Sequence, residues 1–225
     1  MNDTIGLVAI DTYTPAYFLK EYYLYSVKNQ LPISKIIIDS ISIKNKALSY
    51  ENIDLYNIIV EKLGKSLKAM ITKANKIIIL CNVIHLYKES IMLSFPEIEP
   101  YFVDIIGGVV LDVRKSHIDN LLVLCSENAR KTRIFDHYFS NTNVSLKYAD
   151  CDQELIHSLM SYAENNMISE NTVYQLYKLC LKYKDYNIFF ACTELSIIYG
   201  RNKALFSNFS VFDTIDSAIY HLNTE

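Results

Sequence analysis

Short apolar runs alternate with helix-length amphipathic segments along the whole chain. Most of the apolar runs are continuous rather than alternating with polar residues, as is typical of strands buried on both faces of a parallel sheet. Within 170–184, Val173, Leu176, Leu179 and Cys180 recur at helical spacing. The alternation predicts an α/β fold with a mainly parallel sheet, flanking helices and right-handed crossovers. The predicted strands cover 4–10, 34–39, 75–80, 100–105, 120–125, 143–149 and 186–191, with helices at 51–73 and 170–184.

The chain also reads as two copies of one plan. The clearest pair is "KIIILCN" at 76–82 and "IFFACT" at 188–193, in which an apolar strand ends on a cysteine followed by a polar residue. Cys81 and Cys192 are separated by about half the chain, and other paired segments show a similar offset. We therefore predict two similar α/β domains related by pseudo-twofold symmetry, one of residues 1–105 plus 208–225 and the other of residues 106–207.

The two cysteines occupy a position that can carry chemistry. Ligands of open α/β sheets bind beyond the carboxyl ends of the strands, where helix N–H groups can lower the pKa of a thiol from its usual ~8.5. If the two halves face each other across a cleft, one thiolate can remove a proton from a carbon while the other thiol returns one to the opposite face. This chemistry inverts a stereocentre without a metal or cofactor.

A structural interpretation of the cysteines competes with the chemical one. Free cysteine is among the most buried residue types, so Cys81 taken by itself is better explained as a core residue. The equivalent position of Cys192 and the polar residue after each cysteine shift the interpretation toward chemistry. Cys125, Cys151 and Cys180 lack that pattern, and we interpret them as structural.

Composition and charge exclude several classes of function. The formal net charge is −3 and the chain has no block of Lys and Arg, so we expect neither nucleic-acid binding nor electrostatic binding to a membrane. The apolar runs are shorter than the ~20 residues of a membrane span, and the N-terminus lacks a signal-peptide pattern. Five cysteines without a CxxC pair suit neither a disulfide framework nor zinc. We expect a reduced, cytoplasmic protein.

Two motifs give the chain a resemblance to a known family. "LCNVIH" at 80–85 and "ACTELSII" at 191–198 are similar to the PCNTAH and GCTE motifs of the aspartate/glutamate racemase family, closest to its aspartate racemase branch. Weaker similarity at 121–139 and 211–222 extends the resemblance over nearly the whole chain. It implies cofactor-independent racemisation of an amino acid by two cysteines, two Rossmann-like domains and often a homodimer.

The resemblance also implies roles for individual residues. Asn82 and Thr193 would hold the α-carboxylate of the substrate, and Ser126 falls near a carboxylate-binding threonine of the family. Glu194 follows the CTE pattern, and we expect it to orient the site rather than transfer a proton. A plain glutamate at a helix N-terminus is the alternative. His85 matches the family motif, and a hydrogen-bonded structural histidine explains it as well.

Several positions depart from the family pattern. Asp11 lies where the family has a glycine-rich turn; it either assists a cysteine, as in the glutamate racemase branch, or caps a helix or turn. Val83 replaces a threonine. Lys46 takes the place of an arginine that binds the distal carboxylate, and a solvated lysine is the simpler explanation. Glu154 replaces a substrate-binding lysine and would repel an acidic side chain, so a neutral, basic or larger amino acid is a plausible substrate.

Two alternatives to a racemase remain from the sequence. One is a decarboxylase or cis–trans isomerase of the same superfamily, which can depend on a single cysteine. The other is a non-catalytic descendant that binds an amino acid or a protein partner.

Overall fold

The computed structural model describes residues 3–11, 13–41 and 53–224. Two compact units divide these residues. The first comprises the described residues up to Ile105 together with those from Ile219 onward, and the second runs from Ile106 to Ala218. Each unit contains a four-stranded parallel sheet flanked by helices, which confirms the predicted fold class. The limits predicted for the two domains stay a prediction.

The first unit is built around four strands and three helices, with a fourth helix that leads into the second unit. The strands are β1 (Thr4–Ala9), β2 (Lys35–Ser40), β3 (Lys76–Ile79) and β4 (Phe102–Val103), and the helices are α1 (Tyr13–Lys28), α2 (Ile53–Ile71), α3 (Lys88–Ser94) and α4 (Ile105–Lys115), the last of which leads into the second unit. The strands lie in the order β2-β1-β3-β4. The 3-10 helices Asn82–Tyr87 and Pro96–Tyr101 flank α3.

The second unit has a sheet with the same arrangement of four strands. The strands are β5 (Asn120–Leu124), β6 (Ser145–Tyr148), β7 (Asn187–Phe190) and β8 (Val211–Asp213), and the helices are α5 (Glu127–Thr132), α6 (Ile134–Phe139), α7 (Gln153–Glu164), α8 (Glu170–Lys182), α9 (Thr193–Gly200) and α10 (Thr214–Thr224). The strands lie in the order β6-β5-β7-β8. Short 3-10 helices at Asp150–Asp152 and Lys203–Phe206 connect its larger elements.

The continuous apolar runs form the buried strands of each sheet. In β1 and β3, residues such as Leu7, Ile77 and Ile78 are fully buried, because helices cover both faces of a parallel sheet. Phe189 and Phe190 of β7 are equally buried in the second unit. The edge strands β2 and β6 are more exposed. Each core therefore lies around the central strands, which include β3 and β7, the strands that end just before Cys81 and Cys192.

Two elements differ from the sequence prediction. The predicted strand 100–105 is reduced to Phe102–Val103, because the 3-10 helix that begins at Pro96 continues to Tyr101. The segment 211–222 contains a strand that the sequence did not predict: its first three residues form β8, which pairs with β7, and α10 begins after Asp213. None of the helices in the described ranges combines the length and the apolar character that a membrane span requires.

Candidate active site

Cys81 and Cys192 occupy equivalent positions at the carboxyl edges of the two sheets. Each follows the strand that is third in its sheet and has an extended backbone, with φ and ψ of −161° and 114° at Cys81 and of −149° and 132° at Cys192. The residue before each cysteine continues the ladder. Leu80 donates its N–H to the Val8 carbonyl at 2.8 Å, and Ala191 donates to the Leu124 carbonyl at 2.9 Å. Both cysteines begin a helix.

The thiol of Cys192 lies against a carboxylate. Its Sγ donates to Glu194 Oε2 at 2.8 Å, and the hydroxyl of Thr193 donates to the same oxygen at 3.2 Å. The sulfur of Met160, on α7, lies 3.8 Å from Sγ. Cys192 is buried and Glu194 is half-buried. A carboxylate this close accepts a hydrogen bond from the thiol and is placed to take up its proton.

The environment of Cys81 differs. Cys81 is half-buried, and its carbonyl oxygen lies 3.0 Å from Nδ1 of His85, four residues on. Burial lowers the pKa of His85, against the opposing charge of Asp104, so the imidazole is neutral at pH 7. Because a carbonyl only accepts, Nδ1 carries the proton and donates it. His85 therefore fixes the Cys81 peptide rather than its sulfur.

The carboxylate of Asp104, at the end of β4, lies beside His85. Oδ1 of Asp104 lies 3.7 Å from His85 Nε2, and its Oδ2 accepts from the Lys88 ammonium at 2.7 Å. Asp104, which follows β4, therefore lies beside the histidine that donates to the carbonyl of Cys81, the cysteine that follows β3.

The second unit repeats this arrangement with different side chains. Ser196, four residues after Cys192, donates its hydroxyl to the Cys192 carbonyl at 3.3 Å. Asp213, which ends β8, lies against Ser196. Sequence reasoning missed Asp104, Ser196 and Asp213 as parts of the site. A signal was present in the matching stretches "FVDII" at 102–106 and "VFDTI" at 211–215.

The polar residue directly after each cysteine opens the helix that follows. Asn82 and Thr193 are the first residues of their helices and both are buried, 3% and 4% exposed. Their backbone N–H groups therefore belong to a helix N-terminus, where a carboxylate is favoured. Substrate binding by these two side chains stays a prediction.

Asp11 and Ser126 follow the equivalent strands β1 and β5, and both cap helices. Asp11 Oδ1 accepts from the N–H groups of Tyr13 at 2.8 Å and Thr14 at 2.7 Å. Asp11 Oδ2 accepts from the Thr14 hydroxyl at 3.0 Å. Ser126 Oγ accepts from the N–H of Ala129 at 3.3 Å. The capping interpretation of Asp11 is thus present in the structure.

Glu154 and Lys46 are the two residues that the sequence analysis placed near the side chain of the substrate. Glu154 lies exposed in the first turn of α7, which begins next to Cys125 because the amide of Gln153 donates to the Cys125 carbonyl at 3.2 Å. Lys46 falls outside the described residues. On α5, the Arg130 guanidinium is paired with the Asp150 carboxylate at 2.8 Å.

The remaining cysteines differ from the pair at the strand ends. Burial raises the pKa of Cys125 and of Cys180 to about 12, so both stay protonated thiols. Cys151 is exposed. Within the described part of the chain, no group of His, Cys, Asp and Glu side chains is arranged to hold a metal ion.

The chain has the two-domain α/β fold of aspartate and glutamate racemases. It contains two parallel four-stranded sheets, and a cysteine follows the third strand of each. The aspartate racemase of Picrophilus torridus is similar with a TM-score of 0.76 at 15% identity, covering 98% of this chain and 93% of that one. An aspartate racemase homologue from Pyrococcus horikoshii gives 0.74 at 18% identity, covering 99% and 100%. The glutamate racemase of Francisella tularensis, in complex with D-glutamate, gives 0.67 at 18% identity, covering 99% and 80%.

The family resemblance found in the sequence is therefore confirmed at the level of the fold. Identities this low show a shared fold and leave activity and substrate to the chemistry of the site. No protein-family sequence model matches the chain, and no curated protein sequence matches it.

Proposed function

We propose that the protein is a cofactor-independent amino-acid racemase in which Cys192 and Cys81 act as base and acid at the α-carbon. The observation that supports this most directly is the hydrogen bond from Cys192 Sγ to Glu194 Oε2 at 2.8 Å. A thiol buried for packing alone has no need of a carboxylate, whereas a catalytic thiol needs an acceptor for its proton. The equivalent placement of Cys81 supplies the second group of a two-base reaction.

The reaction begins with the transfer of the Cys192 thiol proton to Glu194. The thiolate then removes the α-proton of the substrate, and the electron pair of the broken C–H bond moves into the α-carboxylate to give an enediolate. Cys81 gives its thiol proton to the opposite face of the α-carbon, which completes the inversion. In the other direction the two cysteines exchange roles. N–H groups at the helix starts near Asn82 and Thr193 stabilise the enediolate charge.

The substrate we propose is a neutral, basic or larger amino acid. Glu154 is a carboxylate in the first turn of α7, at the edge of the sheet where β5 and β7 also end. Like charges oppose each other, so this residue disfavours aspartate and glutamate as substrates. Asn82, Thr193 and Ser126 would bind the α-carboxylate, which every amino acid carries. A homodimer in the cytoplasm is part of the same proposal.

The test is exchange of the substrate α-proton for solvent deuterium. The protein is incubated in D₂O with a panel of L- and D-amino acids, alongside Cys81→Ala, Cys192→Ala and the control Cys151→Ser, which changes an exposed thiol outside the strand ends. We expect exchange with at least one substrate, inversion lost in both alanine variants, and full activity in the control.

The other outcomes separate the alternatives. Turnover that survives loss of one cysteine favours a decarboxylase or isomerase of the same fold. Binding of an amino acid by the folded protein, without exchange at any α-carbon, favours the non-catalytic descendant and overturns the racemase proposal.

A further inference from the structure

Asp213 is a buried carboxyl group behind Cys192 that the proposed reaction does not use. It ends β8 and is 4% exposed. Its Oδ1 accepts from the N–H groups of Ile215 and Asp216, each at 3.0 Å, and so caps α10. One of its two oxygens is therefore fully occupied by the start of a helix.

The second oxygen, Asp213 Oδ2, has no hydrogen-bond donor in the described part of the chain. Ser196 lies against this carboxyl, but its single hydroxyl proton is donated to the Cys192 carbonyl at 3.3 Å. A buried carboxylate oxygen without a donor is costly. A neutral carboxyl group removes the cost, because its own O–H can donate to Ser196 Oγ while Ser196 donates onward to Cys192.

The charged groups around Asp213 are consistent with a neutral acid. Burial raises its pKa to about 7, and the neighbouring carboxylate of Asp216, on α10, adds to the shift. Ser196, the Asp216 N–H and the Lys203 ammonium oppose it. Lys203, on the 3-10 helix Lys203–Phe206, is paired with Asp216 at 2.6 Å. Asp213 thus changes charge close to neutral pH.

We propose that Asp213 is a positioning residue for Cys192, acting through Ser196. As a neutral acid it directs the Ser196 proton to the Cys192 carbonyl and holds that peptide at the start of α9. As a carboxylate, Asp213 accepts the hydrogen bond of the Ser196 hydroxyl itself. The Cys192 carbonyl then loses its donor, and a negative charge lies behind the thiol. That charge opposes the formation of a thiolate at Cys192. The inference rests on the proposed role of Cys192 as the catalytic base.

The first unit provides an internal comparison. There the cysteine peptide is held by His85, and the carboxylate behind it, Asp104, is paired with Lys88 at 2.7 Å. Asp104 therefore has a cation to stabilise its charge, whereas Asp213 shares Lys203 with Asp216. Ionisation of Asp213 is expected to affect Cys192 and leave Cys81 unchanged.

The test measures alkylation of each cysteine by iodoacetamide from pH 6 to 9, with peptide mass spectrometry, in the wild-type protein and in Asp213→Asn. Asparagine keeps the helix cap and stays neutral at every pH. We expect equal Cys192 rates at pH 6, and at pH 8.5 a rate roughly fivefold higher in Asp213→Asn, the factor that corresponds to one hydrogen bond. The Cys81 rate is expected to be the same in both proteins.

Ser196→Ala is the second variant, because it removes the link and leaves the cap on α10 intact. We expect the wild-type ratio of Cys192 to Cys81 rates to change around pH 7 and this change to be smaller in Ser196→Ala, where only the charge of Asp213 can act. A Cys192 rate ratio between Asp213→Asn and wild type that is constant with pH overturns the proposal, as does a change of the same size in Ser196→Ala and wild type. Absence of α-proton exchange would defeat the racemase proposal and leave the alkylation result standing.

Discussion

At the scale of single residues, the molecule places a thiol and a carboxylate where they can share one proton. Cys192 and Glu194 are two residues apart, and the extended backbone at Cys192 followed by the first turn of α9 brings Sγ to within 2.8 Å of Oε2. The contact depends only on a strand that ends and a helix that begins. Such local geometry is robust, since the sheet fixes one side and the helix fixes the other.

Replacement of Glu194 by glutamine tests the role of this carboxylate. Glutamine keeps the length of the side chain but cannot accept the thiol proton to form a neutral acid. We expect α-proton exchange to fall by about 100-fold, the lower end of the effect of a general acid–base group. Cys192 should be alkylated faster at pH 7, because the neutral amide does not oppose a thiolate beside it. Exchange kinetics and peptide mapping measure the two effects.

The control is Glu127→Gln, which changes an exposed glutamate paired with Lys131 on α5. It should leave both measurements unchanged. Equal exchange rates in Glu194→Gln and the wild-type protein would mean that the carboxylate only orients the site, as the sequence led us to expect.

The equivalent positions of Cys81 and Cys192 after the third strand of each sheet could be predicted from sequence, but the side chains around them could not. Cys81 and Cys192 were identified because each follows an apolar run and precedes a polar residue in the sequence. The bonds from His85 and Ser196 to the cysteine carbonyls require the helical turn after each cysteine. The approach of Asp104 and Asp213 requires the pairing of the third and fourth strands. These contacts depend on packing between segments far apart in sequence.

At the scale of elements, a side chain just after the end of a strand caps the helix that follows. Asp11 uses both carboxylate oxygens on the first turn of α1, and Ser126 caps α5. A side chain that caps a helix is held in one orientation, because its acceptor atoms face the N–H groups. Capping and chemistry therefore compete for the same atoms at Asp11.

Asp11→Asn and Asp11→Ala separate the two roles. Asparagine is a good capping residue and carries no charge, whereas alanine removes both properties. If capping is the role of Asp11, Asp11→Ala should lower the free energy of unfolding by about 1 kcal/mol, and Asp11→Asn should preserve both stability and α-proton exchange. Urea unfolding followed by circular dichroism measures the first quantity. A stable Asp11→Asn protein without exchange would show that the carboxylate has a chemical role.

The strands that the sequence predicted well are those that the helices cover. Runs such as 77–80 and 121–125 are apolar throughout, so the sequence itself indicates strands that are buried on both faces. The two poorly predicted strands, β4 and β8, have two and three residues. Elements this short carry no periodicity, and their pairing with β3 and β7 defines them instead.

At the scale of the whole molecule, two buried titratable groups give stability opposite dependences on pH. Asp213 has a pKa raised to about 7 from an ordinary value of 3.8, so the folded state binds a proton that the unfolded chain has lost. Its contribution to stability therefore falls as the pH rises from about 4 to 7. His85 has a pKa lowered from 6.5, so its contribution falls as the pH drops below 6.5.

Single substitutions should separate these opposing contributions. In Asp213→Asn we expect the decline of stability between pH 5 and 7 to disappear, leaving the rise with pH that His85 produces. In His85→Gln we expect the reverse, with a slope of at most about 1.4 kcal/mol per pH unit for each group. Urea midpoints at several pH values, read from the fluorescence of the 18 tyrosines in a chain without tryptophan, provide the measurement. Wild-type and Asp213→Asn midpoints that run parallel with pH would contradict the assignment.

The last helix has a consequence for how the protein is made. α10 begins in the second unit and ends in the first, where the Lys76 ammonium donates to the carbonyl of Leu222 at 3.0 Å. The N-terminal part of a chain leaves the ribosome first, and units generally fold as they emerge. The strands of the first unit are thus synthesised first, but the segment that completes it is synthesised after the whole second unit. The unit that emerges first is therefore the last to be finished.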